Sequence, residues 1–380
     1  MLCYWLPQLK GRAIEPHLAG LGKEFDFWMF SGWLETATMY LGIEIGGTKL
    51  QVGVGAGDGN ALVALERRTV DRSAGAAGIR RQIEALAAPL IARHQPQSAG
   101  IGFGGPVDCL TGRTLKSHQI DGWEDYPLAD WCRQVLGLPA RIGNDADLAG
   151  LAEARFGAGR GRRVVFYTTV GSGIGGALVL DGEVYLGGAG IASEIGHLRP
   201  GLHADRPELT VESLASGWGI AAAIQSQLTE AISRPLAPFL SGGPPGDEAD
   251  VRRRLLAAEE ADAESGHDLR QRCGGDLDSL TTKMIAEAAE DGNRLAEAAF
   301  RQATRALGWA LGQMITLLSP EVVVVGGGVS LAGENLFWVP LREEVNRYVF
   351  PPLRGTFRIL PAVLGEEVVV HGALALAAKP

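Results

Sequence analysis

Between Leu41 and Lys49 the chain reads Leu-Gly-Ile-Glu-Ile-Gly-Gly-Thr-Lys, a short apolar strand that ends on paired glycines, a hydroxyl and a cation. Such a turn can seat a phosphate. With no Cβ in the way, the N–H groups of Gly46 and Gly47 can approach an anion, Thr48 adds a donor and Lys49 adds charge. Taken alone, a strand ending in Gly-Gly is more often an ordinary hairpin turn. Two further clusters strengthen the phosphate reading. Thr169, Gly171, Ser172 and Gly173 follow the apolar run Val164 to Tyr167, and Gly326-Gly327-Gly328 follow Val322 to Val325. Three strand-terminated glycine turns can surround one nucleotide.

Gly171, Gly173 and Gly176 satisfy G-x-G-x-x-G, but the dinucleotide fingerprint needs a helix to open at the glycines. Here Ala177 to Leu180 continues as strand up to Asp181-Gly182, a strong hairpin signal, so the glycines form a hairpin tip. No G-x-x-x-x-G-K-[ST] phosphate loop occurs either. Asn144-Asp145 sits where a strand at 140–143 stops and an Ala-rich helix through Ala154 starts. Both residue types are favoured helix caps, which is the plainer reading of each.

The elements that must carry these residues alternate strand and helix. Strands are expected at 41–45, 48–54 and 62–70, a helix at 76–93, a strand at 98–103 running into Gly104-Gly105-Pro106, and a helix near 128–136. The second half repeats the scheme, with strands at 163–170, 174–180 and 183–186, helices at 212–230, 281–291 and 294–318, a strand at 321–325 and a final helix at 366–379. Ser241 to Asp250 reads as a surface loop and 251–272 as an exposed charged helix or insertion.

A chain of 380 residues, 46% apolar and 21% charged, is long enough for two cores of ordinary globular usage. The net charge of -9 with dispersed Lys and Arg argues against a nucleic-acid surface. Cys3, Cys109, Cys132 and Cys273 lie far apart without C-x-x-C spacing, which fits a reduced, cytoplasmic protein. No stretch approaches the roughly 18 apolar residues of a membrane span. Residues 1–40 hold Trp5, Trp28 and Trp33 but no signal-peptide pattern. They read either as an aromatic arm or as a stretch preceding a true start at Met39, and the second is favoured.

Six motifs in order resemble the ROK family (repressors, open reading frames and kinases): Ile45 to Lys49, Gly104-Gly105-Pro106-Val107-Asp108, Asn144-Asp145-Ala146, Gly171 to Gly176, Glu194-Ile195-Gly196-His197, and Pro320-Glu321 through Gly328-Val329. The likeness covers about residues 41–375, apart from the stretch near 241–275. It implies an α/β protein of two RNase H-like lobes of the actin and hexokinase type with a cleft between them. The small lobe would span 41–148, the large one 149–365, and the terminal helix 366–380 would pack back on the first lobe.

By the same resemblance the chain is an ATP-dependent, glucokinase-like sugar kinase acting on the 6-hydroxyl of a hexose, and a homodimer. Asp145 would be the general base. Gly104, Gly105, Asn144, Asp145, Glu194, His197 and Glu212 would hold the sugar. Gly46, Gly47, Thr48, Lys49, Thr169, Gly171, Ser172 and Gly173 would meet the phosphates, with Gly326, Gly327 and Gly328 by the adenosine. Glu44 stands where many members carry Asp, the position the likeness links to Mg²⁺ through water. Many members also hold structural zinc on a histidine and three cysteines between the equivalents of His197 and Glu212. This chain has no cysteine there, so no zinc is expected and His203, Asp205 or packing would order the loop instead.

Read without the resemblance, Glu194 and Glu212 are ordinary surface carboxylates and His197 a structural histidine. Two other functions stay open: a sugar-responsive transcriptional regulator, and a sugar-binding protein without turnover. The first 40 residues are short and poor in Lys and Arg for a winged helix-turn-helix. The preferred sugar, and ATP against polyphosphate as donor, are not ranked by sequence.

Overall fold

The computed structural model describes residues 38–115, 120–201, 206–230 and 248–379. The aromatic stretch before Thr38, His203, Asp205 and most of the loop read at Ser241 to Asp250 lie outside these.

Two five-stranded sheets share one plan. In the first, β1 (Tyr40–Ile45) and β2 (Lys49–Gly55) form an antiparallel hairpin, β3 (Ala64–Thr69) extends it on one side, and helix α1 (Gly75–His94) leads to β4 (Ala99–Phe103), parallel to β1. A small ribbon of β5 (Val107–Asp108) and β6 (Arg113–Thr114) and a short helix α2 (Leu128–Trp131) precede β7 (Ala140–Asn144), parallel to β4. The order is β3-β2-β1-β4-β7. Helix α3 (Asp145–Arg155) then leads to the second sheet, where β8 (Val164–Val170), β9 (Ile174–Leu180) and β10 (Glu183–Val184) form antiparallel hairpins.

Helices α4 (Val211–Ala215), α5 (Gly217–Glu230), α6 (Glu248–Arg272), α7 (Thr282–Glu290) and α8 (Arg294–Leu318) follow, then β11 (Val322–Gly326), α9 (Val339–Tyr348), β12 (Arg358–Pro361) and α10 (Val368–Ala377). The second order is β10-β9-β8-β11-β12, with β8, β11 and β12 parallel. Hairpin first, parallel strands after: the directions match the first sheet strand for strand.

Each sheet buries the apolar residues its alternation demands. Leu41, Ile43 and Ile45 enter one core with Ile79, Ile83 and Ile101; Phe166, Val170 and Val325 enter another with Phe300 and Leu311. A third core joins α3, α10 and strands of the second sheet. Glycines let these layers touch. A Cβ on Gly100 would fall 1.9 Å from the Ala373 carbonyl oxygen of α10, and one on Gly372 would fall 2.0 Å from the Leu148 oxygen of α3. Real Cβ atoms do not approach backbone so closely, so both positions require glycine.

Several elements differ from the sequence reading. The helix expected over 212–230 breaks at Ser216, whose extended backbone ends α4 and whose hydroxyl accepts from Gly219 N–H (3.1 Å) to start α5. The break lets Gly217 N–H reach the Gly171 oxygen (2.8 Å) at the β8–β9 tip. The helix near 128–136 widens after Trp131 into one π turn, Cys132–Leu136. Glu248 to Asp250 are helical, not loop, and α6 is not free along its length: Leu269 is fully buried, and Arg270 donates to the Leu228 oxygen (2.6 Å). β5, β6, α9 and β12 were not anticipated; β12 is four residues of mostly part-exposed chain without clear alternation.

Candidate active site

Two of the glycine motifs stand at hairpin tips, and the third ends β11. Gly46 N–H closes the β1–β2 turn onto the Lys49 oxygen (2.9 Å), and Gly171 N–H closes the β8–β9 turn onto the Gly173 oxygen (2.9 Å). Gly327 sits at φ +87, where a Cβ would also strike Val170 backbone at 2.5 Å, so β11 must end in glycine. Beneath these turns lies a cavity of about 490 Å³. Its wall brings together Glu44, Lys49, Asp145, Thr169 and Gly326 to Gly328, residues far apart in sequence. Ser330, Leu331, Trp338, Pro361, Ala362, Gly365 and Glu366 also line it, and no motif pointed to them. Gly46, Gly47, Thr48, Gly171, Ser172 and Gly173 are not in the cavity wall; Thr48 and Ser172 are exposed at the tips.

Asp145 is the first residue of α3. Its Oδ1 accepts from Ala146 N–H (2.8 Å), and a Cβ on Gly104 would stand 3.3 Å from its Oδ2. Burial pushes its carboxyl up to about 6 against that hydrogen bond, helped by the charges of Glu44 and Glu194. Asn144 is the N-cap: its Oδ1 accepts from Ala146 and Asp147 N–H (2.9 and 3.3 Å). The capping reading is therefore right for Asn144, and one N–H of its amide donates to the Gly105 oxygen (3.1 Å), tying the Gly104-Gly105 turn to α3 and leaving the second N–H for a ligand.

Asn144 and Glu194 line a smaller recess together with Pro106, Val107 and Asp147. Asp147 was missed; its place three residues after Asn144, in the first turn of α3, was the available signal. Its carboxyl rises to about 7 through burial and the charges of Glu194 and Asp145. Glu194 is also raised, by burial first, partly offset by His197. The His197 Nε2 lies 3.9 Å from Glu194 Oε2, and both side chains are substantially exposed. Glu212 does not line either cavity; its Oε2 accepts from Ile174 N–H (2.8 Å) and braces the β8–β9 tip.

Glu44 faces the cavity from β1, 7% exposed, and burial raises its carboxyl despite Lys49 and Gln51. Lys49 Nζ is 3.4 Å from Glu44 Oε1 and donates to the Glu366 oxygen (2.9 Å). The cavity thus joins one cation, the carboxylate residues Glu44, Asp145 and Glu366, and the glycine turn that ends β11, with a carboxylate-lined recess adjoining. The larger cavity has room for an anionic ligand beside Lys49 and the Gly326 to Gly328 turn, and the recess, about 10 Å³, presents carboxylates at its edge.

A model described as the ROK family matches residues 40–251 and 260–380. The chain belongs to the ROK family. This ROK protein is 30% identical over 341 residues to a glucokinase of Thermotoga maritima, covering 88% of the chain and 96% of that relative. Its fold is similar to that of a ROK glucokinase from Streptomyces griseus solved with glucose and AMPPNP, at a TM-score of 0.70 and 29% identity over 90% of this chain and all of that one. It is also 25% identical over 277 residues to a xylose repressor of Caldicellulosiruptor bescii, which covers 73% of this chain and 61% of that relative. The duplicated sheets are those of the actin and hexokinase-like ATPases, and the ROK protein is glucokinase-like.

Proposed function

We propose that this ROK protein transfers the γ-phosphoryl group of ATP to the 6-hydroxyl of a hexose, glucose being the leading candidate. One observation carries the reading: Asp145 lines the same cavity as Lys49 and Gly326 to Gly328, and its neighbour Asn144 lines the recess beside it. Phosphoryl transfer needs a positioned hydroxyl, a group to take its proton and donors for the phosphates. Asp145 is the base; with its carboxyl near 6 it is mostly ionised at pH 7 yet basic enough to accept a proton. Asn144, Glu194 and Asp147 bind the sugar hydroxyls, Gly104 and Gly105 approach it by backbone, and His197, 3.9 Å from Glu194, and Glu212, whose charge reaches it, support Glu194. Lys49 and Thr169 meet the phosphates, and the hairpin tips close over them.

Among the described residues no three His, Cys, Asp or Glu side chains form a metal cage. Magnesium bound with a nucleotide needs none, since it keeps waters and uses one or two carboxylates besides the phosphates. The donor set fits: Glu44 is a buried and Asp145 a half-buried carboxylate on one cavity, and the charge of Glu44 raises Asp145. Glu44 would hold the ion through water, and bound Mg²⁺ would neutralise phosphate charge.

The test is ADP formation with Mg·ATP across glucose, mannose, fructose, N-acetylglucosamine and N-acetylmannosamine. One hexose should be turned over with ADP and sugar phosphate in equal amounts. If none is, and a sugar still binds, the repressor likeness favours a sugar-sensing, non-catalytic role.

A further inference from the structure

Gln51 is a polar side chain with no solvent exposure, placed opposite Glu44 in the β1–β2 register. Every hydrogen-bonding group it turns inward is engaged. Its amide nitrogen donates to Glu44 Oε2 (2.5 Å) and to the Glu366 oxygen (2.8 Å), and its amide oxygen accepts from Arg67 Nε (2.7 Å). Two acceptors on one side and a guanidinium on the other fix which end is nitrogen, since the reverse orientation would set oxygen against carboxylate and carbonyl. Arg67 continues outward to Glu367 Oε1 (2.6 Å).

Glu366 belongs to a strap, Pro361 to Glu366, that forms one wall of the cavity. The same strap is bolted to α3 by Glu153, fully buried, whose Oε1 accepts from Val363 and Leu364 N–H (2.8 and 2.9 Å). One amide therefore links the Glu44 carboxylate to a wall fixed by the helix that carries Asp145. Glu44 also pairs with Lys49 (3.4 Å), which itself donates to the Glu366 oxygen, so without the amide Glu44 keeps only this cation and loses its direct tie to the strap.

We infer that Gln51 is a positioning residue of the kinase reaction, holding Glu44 aimed into the cavity against the strap. This rests on the proposed function. The test is a double-mutant cycle of Gln51→Leu and Glu44→Gln, read in kcat, in the KM for hexose and in calorimetric affinity for a non-hydrolysable ATP analogue with Mg²⁺. Gln51→Leu should lower kcat at least ten-fold and weaken the analogue several-fold, with hexose KM within two-fold of wild type. The double variant should be no worse than Glu44→Gln alone, because Gln51 acts through Glu44.

Multiplying losses, or a Gln51→Leu protein with wild-type kcat and analogue affinity, would overturn the inference. If Gln51→Leu does not fold, Gln51→Asn, one methylene too short to reach Glu44, carries the same expectations. A wild type that turns over no hexose would count against the proposed function, while the analogue-binding arm of the cycle would still decide on Gln51.

Discussion

As the proposed base, Asp145 must be ionised although half-buried, and the conflict has measurable consequences. Its carboxyl, raised to about 6, should place the acidic limb of kcat/KM for hexose near pH 6, with activity falling ten-fold per unit below it. Stability moves the other way. The folded group holds its proton more tightly than the unfolded one, so its penalty is full above about pH 6 and vanishes as pH falls towards the unfolded value near 4. Asp145→Asn should therefore raise stability at pH 8 by about 1–3 kcal/mol, read as a higher thermal midpoint, and lose that gain by pH 4. An unchanged midpoint at pH 8 would show that the carboxyl is not strained. Asp147→Asn should raise hexose KM about five- to twenty-fold with little change in nucleotide affinity, measured by steady-state kinetics. Equal effects on both substrates would place Asp147 outside the sugar recess.

At the scale of elements, α3 and α10 set the site, since they pack on the sheets and on each other through glycine contacts. Gly100→Ala drives a methyl into the Ala373 carbonyl and should cost at least about 2 kcal/mol in denaturant unfolding; a cost below 0.5 kcal/mol would mean α10 shifts freely. Strands ending in glycine turns were legible because period and punctuation agree there, as at Ile45-Gly46 and Val325-Gly326. The break at Ser216 was not, because local propensity favours one helix and the break serves a distant partner, the oxygen of Gly171. β12 was silent for a related reason: an edge strand takes its identity from pairing with β11, not from its own alternation. Among the site residues, Glu44, Lys49, Asp145 and Gly326 to Gly328 could be read from motifs, whereas Leu331, Trp338 and the strap carry none. Glu212, read by likeness as a sugar ligand, braces a hairpin through Ile174 N–H, a contact that only the fold reveals.

For the whole molecule, two sheets of one plan enclose a cavity to which both contribute. Ligands that meet both should stabilise the protein by mass action: hexose and the ATP analogue at about 100 times their Kd should each add about 2.7 kcal/mol. A wild-type midpoint unmoved by both would argue against the shared site. No cysteine lies between His197 and Glu212, so metal analysis of the active protein should find well under one zinc per chain. Stoichiometric zinc that supports activity would refute this. The most direct measurement compares wild type and Asp145→Asn for hexose binding by calorimetry and for turnover with Mg·ATP. The variant should bind hexose within about three-fold of wild type and lose about 10² to 10⁴ in kcat; turnover within ten-fold of wild type would remove Asp145 as the base.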